Sequence, residues 1–333
     1  MIEMLGLEDA QALFERLPPE TRLFTLSPVY AAADSARDAS LETIYLGYRE
    51  GDSFWLHCAH RGRIPTGQLF DLQSPYGYGG PVANTDDREF LARVWADYAN
   101  WCRQNRILAE FVRFHPLAAN WRFYGGVIRN DRDTVAIQLD ADNALMAGYQ
   151  PRCRTAIRKA IAARIAARWR DLADNVPQFG DFYRKGMAAI GAKDFYSFGD
   201  DYFSTLAGIS GVRLLTCELD GEWLAAGIFL RGAASLEYHL SAATDLGRKL
   251  SCTNLLLHSA AEWARTEGLT WLYLGGGTDR RTDNPLLFFK AGFSNCRFLF
   301  RVGFAIHDRD EYESLRSRHC GPVEPLPRIL FYR

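Results

Sequence analysis

"LYLGGGTDRRTDNPLLFFKAGF" occupies Leu272–Phe293. The apolar run at its start reads as a strand that stops at Gly275, Gly276 and Gly277. After a polar loop, Pro285 opens a short helix that sets Lys290 among Phe288, Phe289 and Phe293. Glycines leave the backbone bare of side chains. The three therefore allow two readings: a wall against which a ligand approaches the main chain, or a flexible strand exit. Lys290 likewise either carries its amine out to solvent or holds it at a cleft.

Working outward, "VRLLTCEL" (Val212 to Leu219) and "WLAAGIFLR" (Trp223 to Arg231) read as a hairpin around a tight "DGE" turn. "SLEYHLSA" (Ser235 to Ala242) follows as a third strand, with Tyr238 and His239 on opposite faces. "SCTNLLLHSAAEWARTEG" reads as a helix that begins at a Ser/Thr cluster and ends at Gly268. After the opening stretch, "RFLFRVGFAI" is a final strand. The order is three strands, helix, strand, helix, strand.

The first half repeats this order. "LETIYLGYRE", "SFWLHCAH" and "TGQLFDL" precede the helix "DREFLARVWADYANWCRQN"; then come "ILAEFVRF", a short "HPLAANW" and "TVAIQLD". Trp101 lies opposite Trp263 and Arg103 opposite Arg265, at a constant offset of 162. The reading is a duplicated α/β unit. The expected domains are a first unit over 1–145, a second over 146–321, and a C-terminal strand over 322–333 that packs back on the first.

Composition limits the function classes. The 333 residues are 48% hydrophobic, which describes a folded chain long enough for two cores. The net charge of -1 excludes a polyelectrolyte, so any nucleic-acid contact is a local patch and DNA is not an expected partner. Seven scattered cysteines, none in C-x-x-C spacing, read as reduced thiols of a cytoplasmic protein. No apolar run is long enough to span a bilayer. Zinc, P-loop and EF-hand spacings and the G-x-S-x-G elbow are absent from the sequence, so no metal and no tightly bound cofactor is expected.

The strongest local charge is "RCRTAIRKAIAARIAARWR", without an acidic residue from Pro151 to Arg170. At about 100° per residue, Cys153, Ala156, Ile157, Ala160 and Ile161 share one arc of a helix. Arg152, Arg154, Arg158 and Lys159 share the other. The helix is expected to end at Ala163, with a strand near "ARWR".

Five segments then carry a family resemblance: "PYGYGGP" (Pro75 to Pro81), "FVRFHPLAAN" (Phe111 to Asn120), "RTAIRKA" (Arg154 to Ala160), "YHLSAATDLGRKLSCTNLLL" (Tyr238 to Leu257) and "YLGGGTDRRTDNPLLFFKAGF" (Tyr273 to Phe293). In this order they resemble the FemAB-like transferases, built from two GNAT N-acyltransferase units in tandem. The resemblance implies an α/β fold of two GNAT-like units, each a mixed, mostly antiparallel sheet flanked by helices. It implies transfer of an acyl or aminoacyl group to an amine of a small molecule or peptide, from aminoacyl-tRNA or acyl-CoA. A binding module of two degenerate units is the alternative without chemistry.

The resemblance also distributes roles. Lys290, Phe289 and His239 are implied as catalytic, with Gly275, Gly276, Gly277, Tyr238, Ser241, Arg248, Lys249 and Asn254 at the donor. Arg154, Arg158 and Lys159 are implied to meet phosphates, and Tyr76, Tyr78, Arg113 and His115 the acceptor. One departure stands out: where a single GNAT unit binds the CoA diphosphate, "DLGRKLSCTN" keeps only Gly247, followed by Arg248 and Lys249. For Tyr76, Tyr78 and His115 a structural reading competes, as loop aromatics packed on themselves and a histidine satisfying a strand end.

Overall fold

The computed structural model describes residues 1–65, 67–139, 144–192, 198–320 and 328–333. Contacts divide the chain into two compact units, Met1–Asp131 with Phe300–Arg333, and Arg132–Leu299.

In the first unit, β1 (Glu3–Met4) and the helices α1 (Leu7–Glu15) and α2 (Pro28–Asp34) precede the long hairpin β2 (Leu41–Glu50) and β3 (Ser53–Arg63). The chain reverses at Gly51, whose φ of +58° suits a residue without Cβ. Next come β4 (Phe70–Gln73), β5 (Val82–Ala83), α3 (Arg88–Gln104) and β6 (Ile107–Arg113). Asp87 caps α3 by accepting from Glu89 N. Phe90, Val94, Tyr98 and Cys102, on one stripe of α3, are buried with Trp55, Ile107 and other core residues of the sheet.

In the second unit, α4 (Pro151–Ala162), β8 (Ala166–Arg170), α5 (Val176–Ala189) and α6 (Asp200–Ala207) lead into the hairpin β9 (Val212–Leu219) and β10 (Glu222–Arg231). Then follow β11 (Ser235–Ala243), α7 (Asp245–Lys249), α8 (Cys252–Thr266), β12 (Trp271–Gly276) and α9 (Pro285–Lys290). The main core gathers α4 residues Cys153, Ile157 and Ala160 with seven buried positions of α8, including Leu255 through Leu257. Both units are mixed α/β sheets flanked by helices, as the resemblance implies.

Two strands run through the division: β7 (Val127–Gln138) and β13 (Arg297–Ile306). Residues 134–138 of β7 pair with β12 in the second unit, and residues 302–306 of β13 pair with β6 in the first. β7 therefore completes the second unit's sheet and β13 the first unit's. Contacts part at 131/132 and 299/300 rather than at 145/146. The first unit's sheet runs β1-β2-β3-β4-β6-β13, with β5 on β3; the second runs β7-β12-β11-β10-β9-β8. Only β4 with β6 and β11 with β12 are parallel among these neighbours.

After β13, α10 (Arg309–Cys320) follows. The expected C-terminal strand over 322–333 lies partly outside the described residues, and residues 328–333 form bends and a turn instead. There Arg333 sends Nε and Nη2 onto both oxygens of the buried Asp71, at 2.6 and 2.8 Å. A Cβ on Gly62 would meet Arg333 Nη2 at 1.9 Å, so the bare backbone of β3 opens the lane for the guanidinium.

Beyond this, the α4 stripe differs at its end: Ile161 is exposed, since the helix stops one residue later. Among the described residues no helix is long and apolar enough to cross a membrane, and no cluster of three or more His, Cys, Asp or Glu offers a metal site.

Candidate active site

β11 and β12 pair in parallel only at Ser235↔Trp271, Leu236↔Leu272 and Glu237↔Tyr273. Just past that last pair both strands carry an irregularity. On β11, Leu240 opposes Ile228 and Tyr238 opposes Phe229, leaving His239 as the extra residue. On β12, Gly275 opposes Val135 and Tyr273 opposes Ala136, leaving Leu274 extra. Bulges bend their strands and increase local twist. Beyond Glu237, β11 stays with β10 and β12 stays with β7, so the strands part into a wedge-shaped gap.

The glycines line the β12 side of that gap. Gly275 takes φ +74°, a conformation that L side chains rarely adopt. A Cβ on Gly276 would meet Asp133 O at 2.9 Å, and one on Gly277 the Asn284 carboxamide at 2.5 Å. Asn284 is fully buried and organises the turn. Its Oδ1 accepts from Leu286 N and Leu287 N, which caps α9, while its Nδ2 donates to Thr278 Oγ1 and Asp279 Oδ1.

That cap aims Lys290 inward. The side chain is 7% exposed, and Nζ donates to Gly276 O at 2.8 Å, 5.9 Å from the Tyr238 ring centroid. Burial brings its amine down to about 7. Of the two readings of Lys290, the structure has the one in which the amine is held inside. Phe289 packs against the main core and lies 5.6 Å from Phe293.

Tyr238 and His239 point to different surroundings. Tyr238 packs on Phe229 at 5.5 Å and bonds its hydroxyl to Ser241 Oγ; burial pushes that hydroxyl up to about 12. His239 Nε2 lies 2.8 Å from Tyr202 OH of α6. Lys290, Gly275 to Gly277, Tyr238 and Ser241 are thus brought together, with His239 on the adjoining bulge.

Other implied residues have local partners. Asn254 reaches Cys153 Sγ at 3.8 Å. Arg154 bonds the Tyr149 carbonyl at the start of its own helix, whereas Arg158 and Lys159 are exposed. Arg248 is held by Ala243 O at 2.6 Å and by Asp245, while Lys249 is exposed. Gly247 answers to packing: Thr244 Oγ1 already takes its N-H, and a Cβ would sit 2.0 Å from Leu224 O.

The implied acceptor residues belong to the first unit. Asp34, fully buried, accepts from Tyr76 N at 2.8 Å and from Arg37, whose guanidinium lies over the Tyr76 ring. Tyr78 rests 4.6 Å from His115 and 5.6 Å from Phe300. His115 is fully buried, its Nδ1 accepting from Leu117 N, which is a histidine closing the turn after β6. Arg113 lies over Phe111 and within 3.5 Å of Ser74 Oγ and O.

Two features escaped the sequence reading. Helix α9 buries its lysine and exposes its aromatic: Phe288 is 61% exposed, with the Arg152 guanidinium stacked 3.4 Å from its ring centroid. In the first unit, Glu110 is buried with Tyr98 OH at 2.7 Å and His307 Nε2 at 3.3 Å; His57 Nε2 stands farther, at 3.8 Å. Burial would raise the Glu110 carboxyl, but the two histidines more than offset it and hold it at about 2. No periodicity announces either feature, because each depends on which face tertiary packing selects.

Residues 145–281 match the family model of the acetyltransferase (GNAT) domain. Across the whole length the fold is similar to that of FemX, with a TM-score of 0.71 at 11% identity, covering 95% of this chain and 99% of that one. L-PGS from Bacillus licheniformis gives a TM-score of 0.58 at 13% identity, covering 96% and 99%. A tandem GNAT protein from the clavulanic acid biosynthesis pathway, in a structure without AcCoA, gives 0.50 at 12%, covering 92% and 98%. No curated protein matches the sequence.

Proposed function

We propose that this chain is an acyltransferase of the GNAT kind that transfers an aminoacyl group from aminoacyl-tRNA to an amine of a small molecule or peptide, a reading supported by the GNAT-domain match over residues 145–281 and the FemX-like fold. The observation that carries this reading is the gap between β11 and β12, floored by Gly275 to Gly277 and closed by the buried Lys290. Strands that part leave backbone N-H and C=O groups facing the opening, where an extended donor chain finds hydrogen-bond partners.

In the proposed reaction the acceptor nitrogen attacks the donor carbonyl. The C–N bond forms, the ester C–O bond to the ribose breaks, and the nitrogen's proton passes to His239 or solvent while the ribose oxygen is protonated. Lys290 in its ammonium form stabilises the oxyanion of the tetrahedral intermediate, a contribution of about 2.7–4 kcal/mol in comparable sites. Phe289 keeps its helix seated, and Arg158 and Lys159 meet backbone phosphates.

A second reading keeps the gap and uses acyl-CoA, the C–S bond breaking in place of C–O. The acetyltransferase description of the matching family favours it. The occupied amide of Gly247 and the Asp245 partner of Arg248 weigh against a diphosphate cradle of the usual kind. Melting the protein with acetyl-CoA and with a stable aminoacyl minihelix RNA separates the two. A shift with the RNA alone supports the first reading, a shift with acetyl-CoA alone supports the second, and no shift with either overturns both.

A further inference from the structure

Helix α9 is inverted. A short helix that serves only to cover a core turns its phenylalanine in and its lysine out. Here Lys290 is 7% exposed and Phe288 is 61% exposed, the most exposed aromatic among the described residues, with Leu286 beside it at 38%. The inner face is explained by the gap. The outer face has no such explanation within the fold.

Arg152 prepares that outer face. Its Nη2 donates to Phe288 O at 2.6 Å, which holds the guanidinium over the ring, 3.4 Å from its centroid. Arg152 is the second residue of α4, and seven residues on, two helical turns and about 10 Å along the axis, Lys159 lies in the same row with Arg158 beside it. No acidic residue interrupts this helix. An aromatic surface continued by a row of cations matches a nucleotide: the base stacks, and the phosphates follow the row.

Resting on the acyltransferase reading above, we propose that Phe288 and Arg152 form a stacking platform for the adenine nucleotide of the donor, with its phosphates along Lys159 and Arg158. That chemistry is shared by the terminal adenosine of a charged tRNA and by coenzyme A. The platform sets donor affinity and stands outside the bond-making step.

The test measures binding of coenzyme A, pantetheine and a minihelix RNA ending in CCA to the wild-type protein and to Phe288→Ala, whose exposed position leaves the fold intact. The expected result is a Kd at least about tenfold weaker in the variant for whichever adenine-bearing probe the wild type binds. RNA and coenzyme A as separate arms identify the source. Pantetheine, which lacks adenine, should bind both proteins equally. Equal binding of the adenine-bearing probes by both proteins overturns the platform and leaves the acyltransferase reading standing. Binding of neither probe by the wild type overturns both. Loss of binding to phosphatidylglycerol vesicles in the variant, with nucleotide binding unchanged, overturns the platform in favour of a lipid contact.

Discussion

Lys290 donates from Nζ to the carbonyl of Gly276 across 2.8 Å, joining the end of α9 to the end of β12. A single bond therefore ties the buried amine to the glycine wall. Replacing it by Lys290→Met should lower kcat by about a hundredfold while leaving donor Kd within severalfold, because an oxyanion contact acts in the transition state. Single-turnover kinetics with saturating donor would check this, and an unchanged rate would remove Lys290 from the chemistry.

The same amine links stability to pH. Its folded value of about 7 lies below the ordinary lysine value of 10.5, so between them the unfolded chain binds more protons than the folded one. Stability should rise with pH across that window. The gain in melting temperature from Lys290→Met should be largest near pH 7 and fade towards pH 10. In activity the sign reverses: if the ammonium is the working form, kcat falls as pH rises through about 7.

Asn284 tests the support of the site. Asn284→Ala removes the cap of α9 and the bonds to Thr278 and Asp279, at a cost of about 1–2 kcal/mol. Since Lys290 rides on that helix, kcat should also drop, by about tenfold. Denaturant melts and initial rates on one preparation would show the two effects together. A loss of stability without a loss of rate would mean that α9 keeps its aim uncapped.

Glu110 predicts acid behaviour in the first unit. Its folded value of about 2 is below the ordinary 4.5, so the stability it contributes is present above about pH 4.5 and is lost as the pH falls towards 2. Glu110→Gln should lower stability at pH 7 and flatten the decline between those limits. Urea melts at pH 3, 5 and 7 would reveal the changed slope.

Arg333→Met would leave Asp71 buried without its bidentate partner. A loss of up to about 3 kcal/mol is expected, less if the carboxyl takes up a proton, as its raised tendency from burial allows. The double variant with Asp71→Asn should recover part of it. A loss in the double variant equal to the sum of the losses in Arg333→Met and Asp71→Asn alone would mean the pair is uncoupled.

Much of the fold was legible because strand patterns are local. β2, β9 and β13 begin and end where alternation and turns placed them, and the helix of the cationic segment came within a residue. Helix α5 was not legible. Its sequence holds Pro177, Gly180 and Gly186, poor helix formers. The glycines are explained only in three dimensions, since a Cβ on Gly180 would meet Asp200 Oδ1 at 2.4 Å and one on Gly186 would meet Ala242 Cβ at 2.6 Å. The site followed the same rule. Residues that share an element with a motif, such as Lys290 and the glycines, were found together. The Tyr202 partner of His239, 37 positions away, and the outward turn of Phe288 depend on packing that no window of sequence contains.

The strands that run through the division have a practical meaning. A fragment cut after residue 145 would lack residues 302–306 and leave one side of β6 without its partner strand, a sticky edge that invites aggregation. Residues 134–138 finish one sheet and residues 302–306 the other, so a single cut near the middle of the chain strips a strand from both.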